Sequence, residues 1–141
     1  MTPLHIEQLV PHRQPSLFLD EVAEAGEDHI ACRATIRADS PFVENGGIDG
    51  VVLLEVMAQA VAAYAGLVAR RQGAEPRVGF LIGCRDAGFS GERLAIGAEV
   101  VVEARREWGQ HEVGNFRCRV LRAGAVLAEA VLNVAYADQP G

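Results

Sequence analysis

From Val51 to Ala69 only Glu55, Gln59 and Tyr64 interrupt an apolar run, and neither Lys nor Arg occurs within it. A run of that length reads as one long helix, since strands are shorter. Arg70 and Arg71 suit the negative end of such a helix, and Gly73 supplies a left-handed stop. Apolar residues cover nearly the whole circumference, so the helix has to be enclosed by other elements. The run approaches membrane-spanning length. Much of it is alanine, however, and Glu55 would cost about 2.5–3.5 kcal/mol at the centre of an inserted helix. A buried helix and no membrane are expected.

The rest of the chain supplies the enclosure. His5 to Val10 reads as one or two helical turns ended by Pro11. Leu17–Val22 begins a strand, and after the Gly26-Glu27-Asp28 turn Ile30, Cys32, Ala34 and Ile36 alternate with polar neighbours, giving a half-buried hairpin. Ala38 to Gly50 is loop chemistry that feeds the helix. After Gly73 the pattern is all strand: Arg77 to Phe89, then Val100, Val102 and Ala104, a turn at Trp108-Gly109-Gln110, then Phe116, Cys118 and Val120, and finally Val126 through Tyr136 at every second position. Two strands, a helix and four strands make an α+β fold, with an antiparallel β-sheet wrapped around one long central helix. At 141 residues a single domain over 1–141 is expected.

Composition narrows the function. The formal net charge is −6, with no basic cluster, which excludes a nucleic-acid footprint. Cys32, Cys84 and Cys118 are odd in number and lack the spacing of a zinc site, so they read as small apolar residues in a reducing compartment, and no metal is expected. The first residues show neither a basic leader nor an apolar stretch, and a cytoplasmic location is expected.

The chemistry-bearing feature is a polar pair on the apolar helix. Glu55 and Gln59 are spaced i, i+4 and share one face. Glu55 has no local counter-charge, so it is solvated by a cavity, held protonated, or placed on a solvated strip, and periodicity alone does not choose. A carboxylic acid in a partly desolvated site suits general acid catalysis. The glycines of Asn45-Gly46-Gly47-Ile48-Asp49-Gly50 can turn free N–H groups of the helix start toward a carbonyl or oxyanion.

Two segments resemble a known family. Leu9-Val10-Pro11-His12-Arg13-Gln14-Pro15-Ser16-Leu17-Phe18-Leu19-Asp20-Glu21-Val22 is similar to the opening of bacterial FabZ- and FabA-like 3-hydroxyacyl-acyl-carrier-protein dehydratases, and Gly50-Val51-Val52-Leu53-Leu54-Glu55-Val56-Met57-Ala58-Gln59 to their active-site helix. Ser40-Pro41-Phe42 and Tyr64-Ala65-Gly66 look most like the ApeP-like branch found with aryl-polyene synthesis. The resemblance implies a hot-dog fold, a dimer joined through the strand near Gly79–Ala87, an acyl-carrier-protein or coenzyme A thioester as substrate, and syn elimination of water without cofactor. In such enzymes a histidine takes the proton beside the carbonyl, the helix carboxylate protonates the departing hydroxyl, and N–H groups at the helix start polarise the thioester. Carried over, Glu55 is the acid, and Gly50, Val51 and Gln59 are the substrate-binding candidates.

The departure concerns the histidine. The family carries it in a His-Phe-Pro-Gly loop, and the corresponding Pro41–Asp49 stretch has none. His5, His29 and His111 read as surface residues. His12 lies inside a matching motif and is the catalytic candidate, beside the loop carboxylates Asp49 and Glu44 and a histidine brought by a partner chain. Three functions stay in play: a dehydratase, a non-catalytic or half-site subunit of a heteromeric dehydratase with a second hot-dog chain, and a hot-dog thioesterase. Met57, Val61, Tyr64 and Phe80 are candidates for lining an acyl tunnel, and Arg13, Arg70, Arg71 and Arg77 for docking an acidic carrier protein.

Overall fold

The structure, a computed structural model, describes residues 5–74, 79–109 and 113–136. A 3-10 turn, Ile6–Gln8, leads into the hairpin of β1 (Leu19–Ala25) and β2 (His29–Thr35). The loop that follows carries the two-residue strand β3 (Gly47–Ile48), and a 3-10 turn at Gly50–Val52 runs on into α1 (Leu53–Arg71). Then come β4 (Gly79–Phe89), the short β5 (Leu94–Ala95), β6 (Glu99–Gly109), β7 (Val113–Arg122) and β8 (Ala125–Tyr136). Six strands form one antiparallel sheet in the order β1-β2-β6-β7-β8-β4, and β3 pairs with β5 apart from it.

The expected architecture is present: α1 lies across the sheet, packed most heavily on β6 and β2. Its inward residues Leu53, Val56, Met57, Ala60, Val61 and Tyr64 are buried, and they meet Ile30, Cys32, Ala34, Val100, Val102, Ala104, Phe116, Cys118 and Val120, the alternate positions of β2, β6 and β7. Burying each large side chain here stabilises the fold by roughly 1.5–3 kcal/mol. Length and composition would let Gly50–Arg71 cross a membrane, but half of its apolar stretch is buried inside the fold. It is the core helix.

The helix ends as its sequence specifies, with Arg70 and Arg71 in the last turn and Gly73 at φ +69°. The β1–β2 turn is strapped to this end: Tyr64 Oη donates to the Glu27 carbonyl at 2.6 Å and Arg71 to the Gly26 carbonyl at 3.0 Å.

Two expectations need correction. Trp108 and Gly109 belong to β6, where they pair with Asn115 and Gly114, and Gln110 of the expected turn lies outside the described residues. Val126 is exposed and Leu127 is buried. The pairs Val120↔Ala128 and Leu121↔Val126 enclose Leu127 as an extra residue, and that bulge shifts the in–out alternation by one. Pairing of β3 with β5 has no sequence signal, since each is two residues long. Gly47 is required there, because a Cβ would lie 2.3 Å from the Leu94 carbonyl oxygen.

Candidate active site

The site forms where the segment after the first 3-10 turn crosses the start of α1. Two anchors bring that segment to the helix. At Gly66 the helix has no side chain, and the Leu9 carbonyl oxygen lies 2.0 Å from where a Cβ would stand. Nearer the helix start, Gln59 takes over as a backbone surrogate. Its Oε1 accepts from Phe18 N–H at 2.8 Å, and its Nε2 donates to the Ser16 carbonyl at 3.0 Å and to Glu55 Oε1 at 3.0 Å. Between the anchors, Arg13 donates to the carbonyls of Val10 and His12, both at 2.8 Å.

The consequence is that His12, distant in sequence, faces the helix carboxylate: its Nε2 is 3.8 Å from Glu55 Oε1. Both side chains are about one-third exposed, 29% for His12 and 34% for Glu55. The two lie at an opening rather than in the core. A gap of 3.8 Å exceeds a hydrogen bond, and apo catalytic pairs commonly tighten only around substrate. Glu55 sits in the first turn of α1. One turn before it, the N–H groups of Gly50 and Val51 head the helix without an acceptor among the described residues, with Val51 59% exposed. Positive partial charge and free donors at that end suit a polarised carbonyl oxygen. Phe42, 38% exposed and in ring contact with Phe18, adds apolar surface alongside.

Of the residues expected from sequence, Glu55 and His12 come together, and Gly50 and Val51 stand one turn away. In place of the substrate contact expected of it, Gln59 has no exposed surface, and its polar atoms are engaged by Phe18, Ser16 and Glu55. It therefore lies beneath the opening, tied to the segment after the first 3-10 turn and to Glu55. The Asp49 carboxylate is bonded to Arg93, whose guanidinium also reaches the Glu44 carbonyl. Glu44 itself is exposed. His29 pairs with Glu24 at 3.2 Å on the far hairpin and His5 caps the first turn, while His111 lies outside the described residues.

The tunnel residues are not brought together. Met57, Val61 and Tyr64 are packed in the core, whereas Phe80 is 57% exposed on β4. Of the arginines, Arg13 adjoins the site, Arg70 and Arg71 stand at the opposite helix end, and Arg77 lies outside the described residues. Sequence reasoning named Gly66 only within the Tyr64-Ala65-Gly66 motif and did not foresee the approach of Leu9. Glycine inside a strongly apolar helix was the available signal, because such a residue marks a close approach.

A sheet wrapped on one helix, with a carboxylate in the helix's first turn and an imidazole laid over it, defines a hot-dog protein of dehydratase type. The profile of ApeP-like dehydratases matches residues 4–140, and the chain belongs to that family. Among curated relatives, 3-hydroxyacyl-[acyl-carrier-protein] dehydratase FabZ of Anaeromyxobacter sp. (strain K) is 28% identical over 145 residues, covering 95% of this chain and 89% of the relative. FabZ of Agrobacterium fabrum is 30% identical over 138 residues, covering 90% and 84%. Among solved structures, the dehydratase heterocomplex ApeI:P from Xenorhabdus doucetiae superposes with TM-score 0.90 at 23% identity, covering 98% of this chain and 94% of that one. A hypothetical thioesterase with coenzyme A from Streptococcus pneumoniae gives TM-score 0.64 at 9% identity, covering 86% and 88%.

Proposed function

We propose that the chain dehydrates 3-hydroxyacyl thioesters carried on acyl carrier protein to trans-2-enoyl thioesters, in fatty-acid or aryl-polyene type synthesis, as a cytoplasmic enzyme. The observation that carries this is the approach of His12 to Glu55 at the start of α1. Elimination of water needs one proton removed beside the carbonyl and one delivered to the leaving hydroxyl, and these two groups are the titratable pair at the opening. Gly50 and Val51 N–H would receive the thioester oxygen, where negative charge grows as the proton leaves. Gln59 holds Glu55 in place, and the route as drawn calls on neither metal nor organic cofactor. The family assignment and the relatives named for this activity support the reading.

A second reading, as one subunit of a heteromeric dehydratase, is favoured by β4. Among the described residues this edge strand pairs only with β8, and Phe80, Leu81, Ile82 and Phe89 are between 37% and 60% exposed. Apolar exposure along a free strand edge marks a pairing surface. A second hot-dog chain, identical or not, would fit it, and the structurally similar ApeI:P is itself a dehydratase heterocomplex. The thioesterase reading rests on fold likeness alone.

The deciding assay offers a 3-hydroxyacyl thioester to the purified chain and reads enoyl absorbance and free thiol separately. Enoyl product is expected, with Glu55→Gln reducing it by about 10²–10⁴-fold. Free thiol without enoyl product would replace the proposal with a thioesterase. Turnover only after a second hot-dog chain is added would establish the subunit reading.

A further inference from the structure

The loop before α1 ends on a residue suited to closing the helix's own donors. Glu44 and Gly47 exchange backbone hydrogen bonds at 2.7 and 3.2 Å, and Asn45 and Gly46 between them take positive φ, 52° and 79°. The chain then passes through β3 and reaches Asp49, the N-cap of the 3-10 turn that runs on into α1. Aspartate is among the preferred N-cap residues, because its carboxylate accepts from the N–H two or three positions on. Here those groups belong to Val51 and Val52. The Asp49 backbone already has the extended conformation of a cap, φ −72° and ψ 150°, yet its side chain makes no capping hydrogen bond.

The carboxylate is held elsewhere. Arg93 stands just before β5, and its guanidinium donates to the Asp49 carboxylate with one nitrogen and to the Glu44 carbonyl with the other. The backbone of this loop is fixed independently, by the pairs Gly47↔Ala95 and Ile48↔Leu94 and by Ile96 N–H donating to the Gly46 carbonyl at 3.1 Å. What Arg93 adds is the direction of the Asp49 side chain. Turned toward Arg93, the carboxylate leaves Val51 N–H available. Turned toward the helix, it would occupy that donor and set a full negative charge where a thioester oxygen gathers its own.

We propose that Arg93 is a positioning residue for the dehydration: by holding the Asp49 carboxylate, it keeps the start of the helix open to the thioester carbonyl. This rests on the dehydratase reading above, with Gly50 and Val51 N–H as the groups that receive the carbonyl oxygen. Arg93 touches no reacting atom and acts only through Asp49. Once released, Asp49 caps Val51, and a substrate has to displace it before its carbonyl is polarised. A cap of this kind shifts an equilibrium about fivefold. The pair itself is exposed, 43% for Arg93 and 58% for Asp49, and such pairs contribute little to stability, so replacing either residue leaves the fold in place.

A cycle of variants in the full-length chain tests this: Arg93→Ala, Asp49→Ala, the two together, and Arg93→Lys. Arg93→Ala is expected to lower kcat/KM for a 3-hydroxyacyl thioester about fivefold. Arg93→Lys should keep most of the activity, and adding Asp49→Ala to Arg93→Ala should restore it. A merely structural tie, once broken at one end, gains nothing from loss of the other end. A double variant as slow as Arg93→Ala, or slower, therefore overturns the proposal. Backbone amide spectra of the ¹⁵N-labelled chain need no turnover. In Arg93→Ala the Val51 amide proton should move downfield as the carboxylate bonds to it, and in the double variant it should return to its position in Asp49→Ala. A Val51 amide left in place by Arg93→Ala overturns the proposal by itself. A wild type silent on every thioester would sink the dehydratase reading, and the amide shift would still decide whether Arg93 holds Asp49 off the helix.

Discussion

Gln59 is a polar side chain with no exposed surface inside an otherwise apolar helix, and its three hydrogen bonds explain its presence. Gln59→Leu keeps the volume but leaves Phe18 N–H and the Ser16 carbonyl unmet, at about 1–3 kcal/mol for each buried group. The expected loss is about 2–4 kcal/mol, read as a lower urea midpoint. Gly66→Ala should cost about 1–3 kcal/mol for a different reason, since its Cβ would drive Leu9 off the helix. Burial pushes the Cys32 and Cys118 thiols up from 9.0 to about 12. The unfolded chain then loses those protons first, so stability should fall as pH rises from about 9 toward 12. Urea midpoints at pH 7 and pH 10 check the sign, and replacing both cysteines by alanine should flatten the slope. Glu55 and Gln59 were legible at this scale because i, i+4 spacing is local. The meeting of His12 with Glu55 was not, because it depends on two distant anchors, and only the Pro11-His12-Arg13 motif singled the imidazole out.

Among the elements, α1 was the most legible, because its length, closing residues and all-round apolarity each follow from local sequence. The hairpin and the strands β6, β7 and β8 were legible from alternation up to the bulge at Leu127, where an extra residue inverts the pattern. β4 shows the limit of such reading. Its apolar residues announced a strand, but not that Phe80, Leu81, Ile82 and Phe89 would stand exposed. Cys84 also lies exposed on this strand, while Cys32 and Cys118 are buried. A thiol reagent should therefore label one cysteine per native chain. If another chain pairs with β4, labelling of Cys84 should slow as protein concentration rises, and Ile82→Asp should restore the fast rate at every concentration. A rate that is independent of concentration in the wild type would count against pairing at β4.

Among the described residues the six-stranded sheet has two edges, β1 and β4, and only one is guarded. β1 is interrupted by register shifts between Leu19 and Glu21 and between Val22 and Glu24, and Glu21 and Glu24 line it with charge. Bulges and charged side chains are the usual means of blocking edge pairing. β4, at the other end of the sheet, is eleven residues long and apolar through Phe80, Leu81 and Ile82. The asymmetry directs association to a single edge, so a closed pair is expected rather than an open chain of copies. Sedimentation at micromolar concentration should give the mass of two chains, and the melting temperature should climb with concentration as mass action requires. Ile82→Asp should sediment as one chain, with the Gln59 anchor and the His12–Glu55 approach intact because neither touches β4. A wild type that stays monomeric alone, and pairs only when a second hot-dog chain is supplied, would mean that the free edge is shaped for a non-identical partner. The dehydratase would then be a heteromer in which this chain contributes Glu55 and His12.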